Sequence, residues 1–263
     1  MKKLLLLAIL MSSSLVNSHA VIIAEEFFNY TTGSQLNGAN GGTGWTAPWV
    51  AQADRYEIQA TTQSFPGLVS SGANAVSKFD NPSFGNGFSR AFANQTGRVW
   101  GSFTVNFAQL PTYFEVGLHE TGNNNWSSLF GINNANIFAN HSGPGALVST
   151  AFAPALSTTY MMAFTYDSTG ATPTTFFIDP TGLGAGLTPS GSLASASFTG
   201  NNYGMNPGIG GIKFYAADGL FTIDDVRVGT TWQDVSPVPE PSTYALLALG
   251  LGALFFLRRR FTA

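Results

Sequence analysis

The chain has no cysteine, only three histidines, and charged side chains at just 10% of its 263 positions. Without cysteine neither a disulfide framework nor a thiolate metal centre is open to it, so packing, hydrogen bonds or an oxygen-ligated metal must hold the fold. An average soluble domain is about 25% charged, so here Asn, Ser, Thr and Gly must supply the polar surface. The formal net charge is -3, and Lys2, Lys3, Arg258, Arg259 and Arg260 account for five of the eleven cations. The central region is therefore acidic and lacks the basic face that nucleic-acid binding requires. His119 and His141, once His19 is set aside with the N-terminal leader, are too few for a histidine-rich metal centre and have no nucleophile motif beside them. A sustained helical period is also missing from the central region. Gly182-Leu183-Gly184-Ala185-Gly186 precedes no helix, which excludes a phosphate cradle and leaves a flexible loop.

What is present begins with the two ends. Lys2 and Lys3 precede an apolar run from Leu4 to Met11, and Ser18-His19-Ala20 places small residues at a cleavage position, so residues 1–20 read as a secretory signal peptide. At the other end Val238-Pro239-Glu240-Pro241-Ser242-Thr243 leads into an apolar stretch from Tyr244 to Leu257, closed by Arg258-Arg259-Arg260. The prolines favour extended backbone and Ser242 suits a helix N-cap. A helix from Thr243 to Leu257 spans about 22 Å at ~1.5 Å per residue, short of the ~30 Å hydrocarbon core, which suits a temporary anchor. Arginines after it hold that end on the cytoplasmic side.

Pro239-Glu240-Pro241, the short apolar helix and Arg258, Arg259 and Arg260 together resemble the PEP-CTERM sorting signal of exopolysaccharide-producing Gram-negative bacteria. The resemblance implies an exosortase-type processing enzyme and the inner membrane as transient partners. It further implies an inner-membrane-anchored precursor that passes to the cell surface or extracellular matrix. An ordinary C-terminal membrane anchor is the competing reading of the apolar tail.

Between the ends, residues 21–235 suffice for one domain with a sizeable core, residues 236–263 being assigned to the sorting signal. Strand patterns recur at Val21–Tyr30, Tyr56–Ala60, Leu68–Ser70, Ala75–Phe79, Phe88–Phe92, Arg98–Phe107, Tyr113–Glu120, Trp126–Ile132, Asn136–His141, Tyr160–Asp167, Thr174–Ile178, Ala196–Phe198, Ile209–Tyr215 and Leu220–Val228. Arg98–Phe107 alternates most cleanly. Val99, Gly101, Phe103, Val105 and Phe107 occupy one face and Ser102, Thr104 and Asn106 the other, so one face is expected buried and the other wet. Half-buried strands without intervening helices predict an all-β antiparallel sandwich. Trp45 and Trp49, in a Gly- and Pro-broken stretch, read as core or edge aromatics. The opening Glu26-x-Phe28-x-Tyr30, the Gly-rich loop ending Gly44-Trp45, Trp100-Gly101-Ser102-Phe103, Val116-Gly117-Leu118 and Phe221–Val228 resemble concanavalin A-like (LamG-like) jelly-roll domains.

Within Phe221-Thr222-Ile223-Asp224-Asp225-Val226-Arg227-Val228 the apolar parity changes from odd to even positions, which predicts a β-bulge at Asp224-Asp225. Adjacent carboxylates near a core are costly unless neutralised, and such hard oxygens suit calcium, with Glu25 or Glu26 as neighbours. The jelly-roll resemblance places a structural Ca2+ on Glu26 and Asp225, with Glu25 and Asp224 beside them. Alternatively, one aspartate accepts backbone N–H bonds at the bulge and the other is solvated.

Glycoside hydrolases on this fold place paired carboxylates on one strand. Glu115 and Glu120 approach that pattern, but Gly117 stands where an aspartate belongs, and a spacing of five sends the two glutamates to opposite faces. No catalytic residue is assigned and the chain is read as non-enzymatic. Asn123, Asn124, Asn125 and Trp126 with Asn133, Asn134, Asn136, Asn140 and His141 form the candidate glycan-binding group, since amides bond sugar hydroxyls and an indole stacks on a pyranose. Turn chemistry and a buried Trp126 would produce the same pattern. The reading is an exported structural or exopolysaccharide-associated protein, with a carbohydrate-binding module as alternative and a hydrolase behind it.

Overall fold

The computed structural model describes residues 22–52, 55–70, 72–78, 86–120, 126–133, 135–141, 148–169, 173–198 and 208–238. Among the described residues fifteen strands form two antiparallel sheets packed face to face as a jelly-roll sandwich. The eight-stranded sheet contains β1 (Ile22–Glu26), β3 (Tyr56–Gln59), β4 (Ala75–Lys78), β6 (Arg98–Gln109), β11 (Thr159–Asp167), β12 (Thr174–Ile178), β13 (Ala194–Phe198) and β15 (Leu220–Gly229). Its order is β13-β12-β11-β6-β15-β4-β3, with β1 paired to the far half of β15. The seven-stranded sheet contains β2 (Val50–Ala51), β5 (Asn86–Gln95), β7 (Tyr113–Glu120), β8 (Trp126–Asn133), β9 (Asn136–His141), β10 (Val148–Ala151) and β14 (Ile209–Ala216), in the order β10-β9-β8-β7-β14-β5-β2. Successive strands β5, β6 and β7 change sheet at each step, as do β13, β14 and β15.

The core follows from the alternation. Val99, Phe103, Val105 and Phe107 of β6 meet Phe114, Val116, Leu118, Phe130 and Phe214 of the facing sheet, all fully buried. Phe103 contacts Phe214 edge-on at 5.1 Å between ring centroids, and Phe130 stacks on Phe164 at 4.8 Å. Gly101 is the socket for Phe164: a Cβ there would overlap the ring, so the glycine fixes how far the phenylalanine sinks into the sandwich.

The expectation of a wet outer face on β6 is corrected. Ser102 and Thr104 are completely buried: the chain after β15 folds back over Ser102, and Thr104 Oγ1 donates to the Asp224 carbonyl at 3.1 Å. A short helix, α1 (Trp232–Val235), opens with a capping box in which Thr231 and Asp234 bond each other's backbone. Trp232 and Val235 form a second apolar cluster with Leu68, Trp100, Met161 and Ala163. Ser102 Oγ donates to the Val235 carbonyl at 2.6 Å, and Val69 N–H donates to the Pro237 carbonyl at 2.9 Å. Leu68–Ser70, expected as a strand, is instead part of this outer covering. The folded body thus continues to Val238. Residues 1–21 and 239–263, which hold the expected signal peptide and all but the first three residues of the expected sorting signal, lie outside the described residues. Among the described residues no helix is long and apolar enough to cross a membrane.

Candidate functional site

The carboxylates expected to share a calcium lie on two sides of a sheet. Glu26 ends β1 opposite Val226 and turns inward, 1% exposed. Its oxygens accept from Phe28 N–H at 2.9 Å, Tyr30 Oη at 2.6 Å and Trp49 Nε1 at 3.1 Å, and Arg90 Nη1 stands 2.5 Å away. Arg90 also donates to the Ala47 carbonyl at 2.8 Å and Asn40 Oδ1 at 2.9 Å, with its guanidinium over the Trp45 and Trp49 rings. Burial, together with the bond to Glu26, pushes the Tyr30 hydroxyl up to about 12. The Glu-x-Phe-x-Tyr motif, the Gly-rich loop and the tryptophans therefore form one network whose hub is this ion pair. Gly42 belongs to it: its φ is +68° and a Cβ would strike the Glu25 carbonyl and approach the Glu26 carboxylate.

Asp224 and Asp225 sit on the opposite, outer side. The predicted bulge is present: β15 advances from Asp224 to Arg227 while its partner β6 advances only from Thr104 to Ser102, and Asp225 takes φ +53°. Both carboxyls are fully buried. Asp224 accepts from Asp225 N–H at 2.8 Å and Gln63 N–H at 3.3 Å. Asp225 has Arg227 Nη2 at 3.6 Å as its neutralising partner, with the Ser70 hydroxyl also acting on its carboxyl. Burial, then the neighbouring Asp225 charge, pushes Asp224 up to about 8; burial raises Asp225, which Arg227 partly offsets. Glu25 lies opposite Arg227 in register and accepts from Thr43 Oγ1.

This arrangement does not fit the four-carboxylate calcium set. Glu26 is satisfied in the core by Arg90 and three other donors, and Arg227 occupies the bulge, so arginines supply the charge a cation would have supplied. Among the described residues no group of three or more histidine, cysteine or acidic side chains is placed to hold a metal ion. We therefore expect a chelator to leave the thermal transition of the purified protein unchanged; a drop of several degrees would restore calcium to the account.

The outer face of the seven-stranded sheet carries the remaining chemistry. Tyr113, Glu115, Gly117 and His119 alternate outward along β7, since Phe114, Val116 and Leu118 enter the core. Tyr113 Oη donates to Glu115, and its ring stacks on Phe138 of β9 at 5.5 Å and 15°. Glu115 stands opposite Tyr215 of β14; burial raises its carboxyl, partly countered by Tyr113 and Lys213. A Cβ at Gly211 would run into the His119 ring, so that glycine seats the imidazole. Val50, Gln52, Gly87, Ser89, Lys213 and Tyr215 border an open groove of about 350 Å3 at the β2 end of the face.

Glu120 does not join Glu115. It turns to the inner side, where its charge acts on Tyr166 of the facing sheet, and the register shifts near this end of β7 fall on β8 and β14. Of the expected glycan group, Asn133 and Asn136 pair across β8 and β9 in register, with Asn136 exposed. Asn124, Asn125 and the side chain of Trp126 lie outside the described residues, as do Pro239, Glu240, Pro241, Arg258, Arg259 and Arg260. Sequence reasoning missed Arg90, Tyr113, Lys213 and Tyr215. The outward parity of β7 and β14 was the available signal for the last three.

Several solved structures resemble the chain at low identity. A protein of unknown function from Shewanella oneidensis is 14% identical, with 86% of this chain and 93% of that one covered at a TM-score of 0.48. A beta-1,3-glucanase from Mycobacterium marinum is 14% identical, with 80% and 100% covered at 0.48. The Caenorhabditis elegans galectin LEC-6 is 13% identical, with 57% and 94% covered at 0.38. No curated protein sequence matches the chain. Residues 237–260 do match a family description, so that behind its β-sandwich this chain carries a PEP-CTERM protein-sorting motif.

Proposed function

We propose that the protein is a non-enzymatic, exopolysaccharide-associated component of the cell surface or extracellular matrix, and that the outer face of the seven-stranded sheet is its contact surface. The sorting motif at residues 237–260 carries this reading, because it implies export, membrane processing and an exosortase-type partner. The face supports it chemically. Tyr113 and Tyr215 offer partly exposed rings beside Glu115, Lys213, Ser89 and Asn136, a mixture of apolar ring faces and hydroxyl-binding groups. Retaining glycosidases hold two carboxylates about 5 Å apart, whereas Glu120, the other carboxylate of β7, has the opposite parity to Glu115 and turns inward.

The groove beside Tyr215 favours a lectin-like variant of the same reading, in which a short segment of glycan is held rather than the polymer as a whole. Co-sedimentation of the mature protein with the producing cell's own exopolysaccharide tests both. An aromatic contact contributes about 0.5–1.5 kcal/mol, so Tyr215→Ala is expected to weaken retention about two- to tenfold with an unchanged melt. Competition by short oligosaccharides of the same polymer would select the lectin-like variant. Failure of the unmodified protein to co-sediment, or equal retention of the Tyr215→Ala protein, would remove the assignment of this face.

A further inference from the structure

The glycine-rich segment read as a flexible loop is an ordered one, and it adjoins the exit of the sorting tail. Thr181 and Gly191 close it, Thr181 N–H donating to the Gly191 carbonyl at 2.8 Å and Ser190 N–H to the Thr181 carbonyl at 3.0 Å. The strap ahead of the tail is tied to it. Trp232 Nε1 donates to the Gly182 carbonyl at 2.9 Å, Gly184 N–H to Ser236 Oγ at 3.1 Å, and Gln233 Nε2 to the Gly186 carbonyl. Gly184 leaves room for Val238, whose methyl groups a Cβ there would meet. Leu183 packs inward against the second apolar cluster, whereas Leu187 at the tip is 79% exposed and Leu193 just beyond the stem is 63% exposed. No charged residue occurs from Thr181 to Leu193.

The position of the loop says what it meets. The apolar run begins at Tyr244, six residues beyond Val238, and six extended residues reach at most about 21 Å. Val238 is itself 37% exposed and lies against the loop. Any bilayer that takes up Tyr244–Leu257 is therefore held within that reach of an uncharged surface presenting Leu187. A charged surface would lose hydration at the headgroup boundary; this one loses little, and its exposed leucine gains by entering.

We infer that the loop Thr181–Gly191, with Val238 beside it, is the face by which the membrane-anchored precursor rests on the lipid surface, Leu187 entering the interface. The inference rests on the tail inserting as a sorting anchor. The strap fixes the orientation, so the outer face of the eight-stranded sheet is turned toward the bilayer before processing. The seven-stranded sheet, with its glycan-contact face, is turned away from it.

The absence of cysteine makes the test direct. Full-length Leu187→Cys, Ser149→Cys and Ala253→Cys proteins, each labelled with an environment-sensitive fluorophore, are placed in phosphatidylethanolamine/phosphatidylglycerol vesicles containing nitroxide-labelled lipid. Ser149, exposed on β10 of the other sheet, is the aqueous reference, and Ala253 reports tail insertion. Leu187 is expected to show a blue-shifted emission and lipid quenching at least about threefold greater than Ser149. Quenching at Ala253 with none at Leu187 overturns the resting face alone; quenching at neither overturns the anchored tail as well. A blue shift at Leu187 without lipid quenching, as contact between two copies would give, also overturns it.

Discussion

Replacing Glu26 with Gln is expected to lower the stability of the domain by about 3–5 kcal/mol, because it strips the counter-charge from an arginine buried to 2% exposure. For a domain of this size that corresponds to roughly 10 °C in the melting temperature. The side-chain volume is nearly unchanged and the one amide oxygen of Gln can still accept from either Phe28 or Trp49, so cavity formation cannot account for the loss. The damage should extend beyond β1. Arg90 holds the Ala47 carbonyl and Asn40, and through them the long loop between β1 and β2 that carries Trp45 and Trp49. Arg90→Met should also destabilise, leaving the carboxylate to Tyr30, Trp49 and Phe28 alone. The combined Glu26→Gln, Arg90→Met protein should lose clearly less than the sum of the single losses, since each single change strands the other partner. Strict additivity, measured by urea unfolding, would refute the ion pair as the hub of this network.

The second large effect is a dependence on pH opposite in sign to ordinary acid denaturation. Asp224, raised from its usual 3.8 to about 8 by burial and by Asp225, retains its proton in the fold over a range where the unfolded chain releases it. Below about pH 4 both states are protonated and nothing is lost. Between about pH 4 and 8 the folded state binds the extra proton, so stability falls as pH rises, with a slope from this group of at most about 1.4 kcal/mol per pH unit. Above pH 8 both states are ionised and the penalty becomes constant. Asp225, Glu115 and Asp179 are raised as well and carry the same sign. Asp224→Asn keeps an acceptor for Asp225 N–H or Gln63 N–H and removes the charge. It should therefore flatten the profile between pH 5 and 8 and leave the variant more stable than the parent at pH 8. A parent protein more stable at pH 8 than at pH 5 would contradict this account of the bulge.

The sandwich was legible because most strands bury one face and so keep a period of two. The bulge was legible for the same reason, since Phe221 and Ile223 share a core with Val226 and Val228 only if one residue is added between them. The covering of β6 was not legible. A helix of four residues has too little period to detect, and Ser102 and Thr104 look the same whether water or the Val235 and Asp224 carbonyls satisfy them. The Glu26–Arg90 pair was hidden by its separation of 64 positions and by a charged residue standing at an inward position of β5. On the first and last strands Glu26 and Asp225 each face an arginine, a pairing that the acidic residues alone do not reveal. The edge strands β2 and β10 escaped because they are two and four residues long and largely exposed. The groove-side residues have no motif of their own in the sequence: the tyrosines and the lysine stand singly at outward positions of β7 and β14, apart from the asparagine-rich stretch.

The most direct measurement of the central claim is cell fractionation with intact-mass analysis of the protein recovered from the surface or matrix fraction. Export and processing through residues 237–260 predict a product lacking residues 1–20 and lacking the apolar run and arginines beyond the Pro239-Glu240-Pro241 region. A surface product that still carries residues 242–263, or a chain retained whole in the membrane fraction, would contradict it.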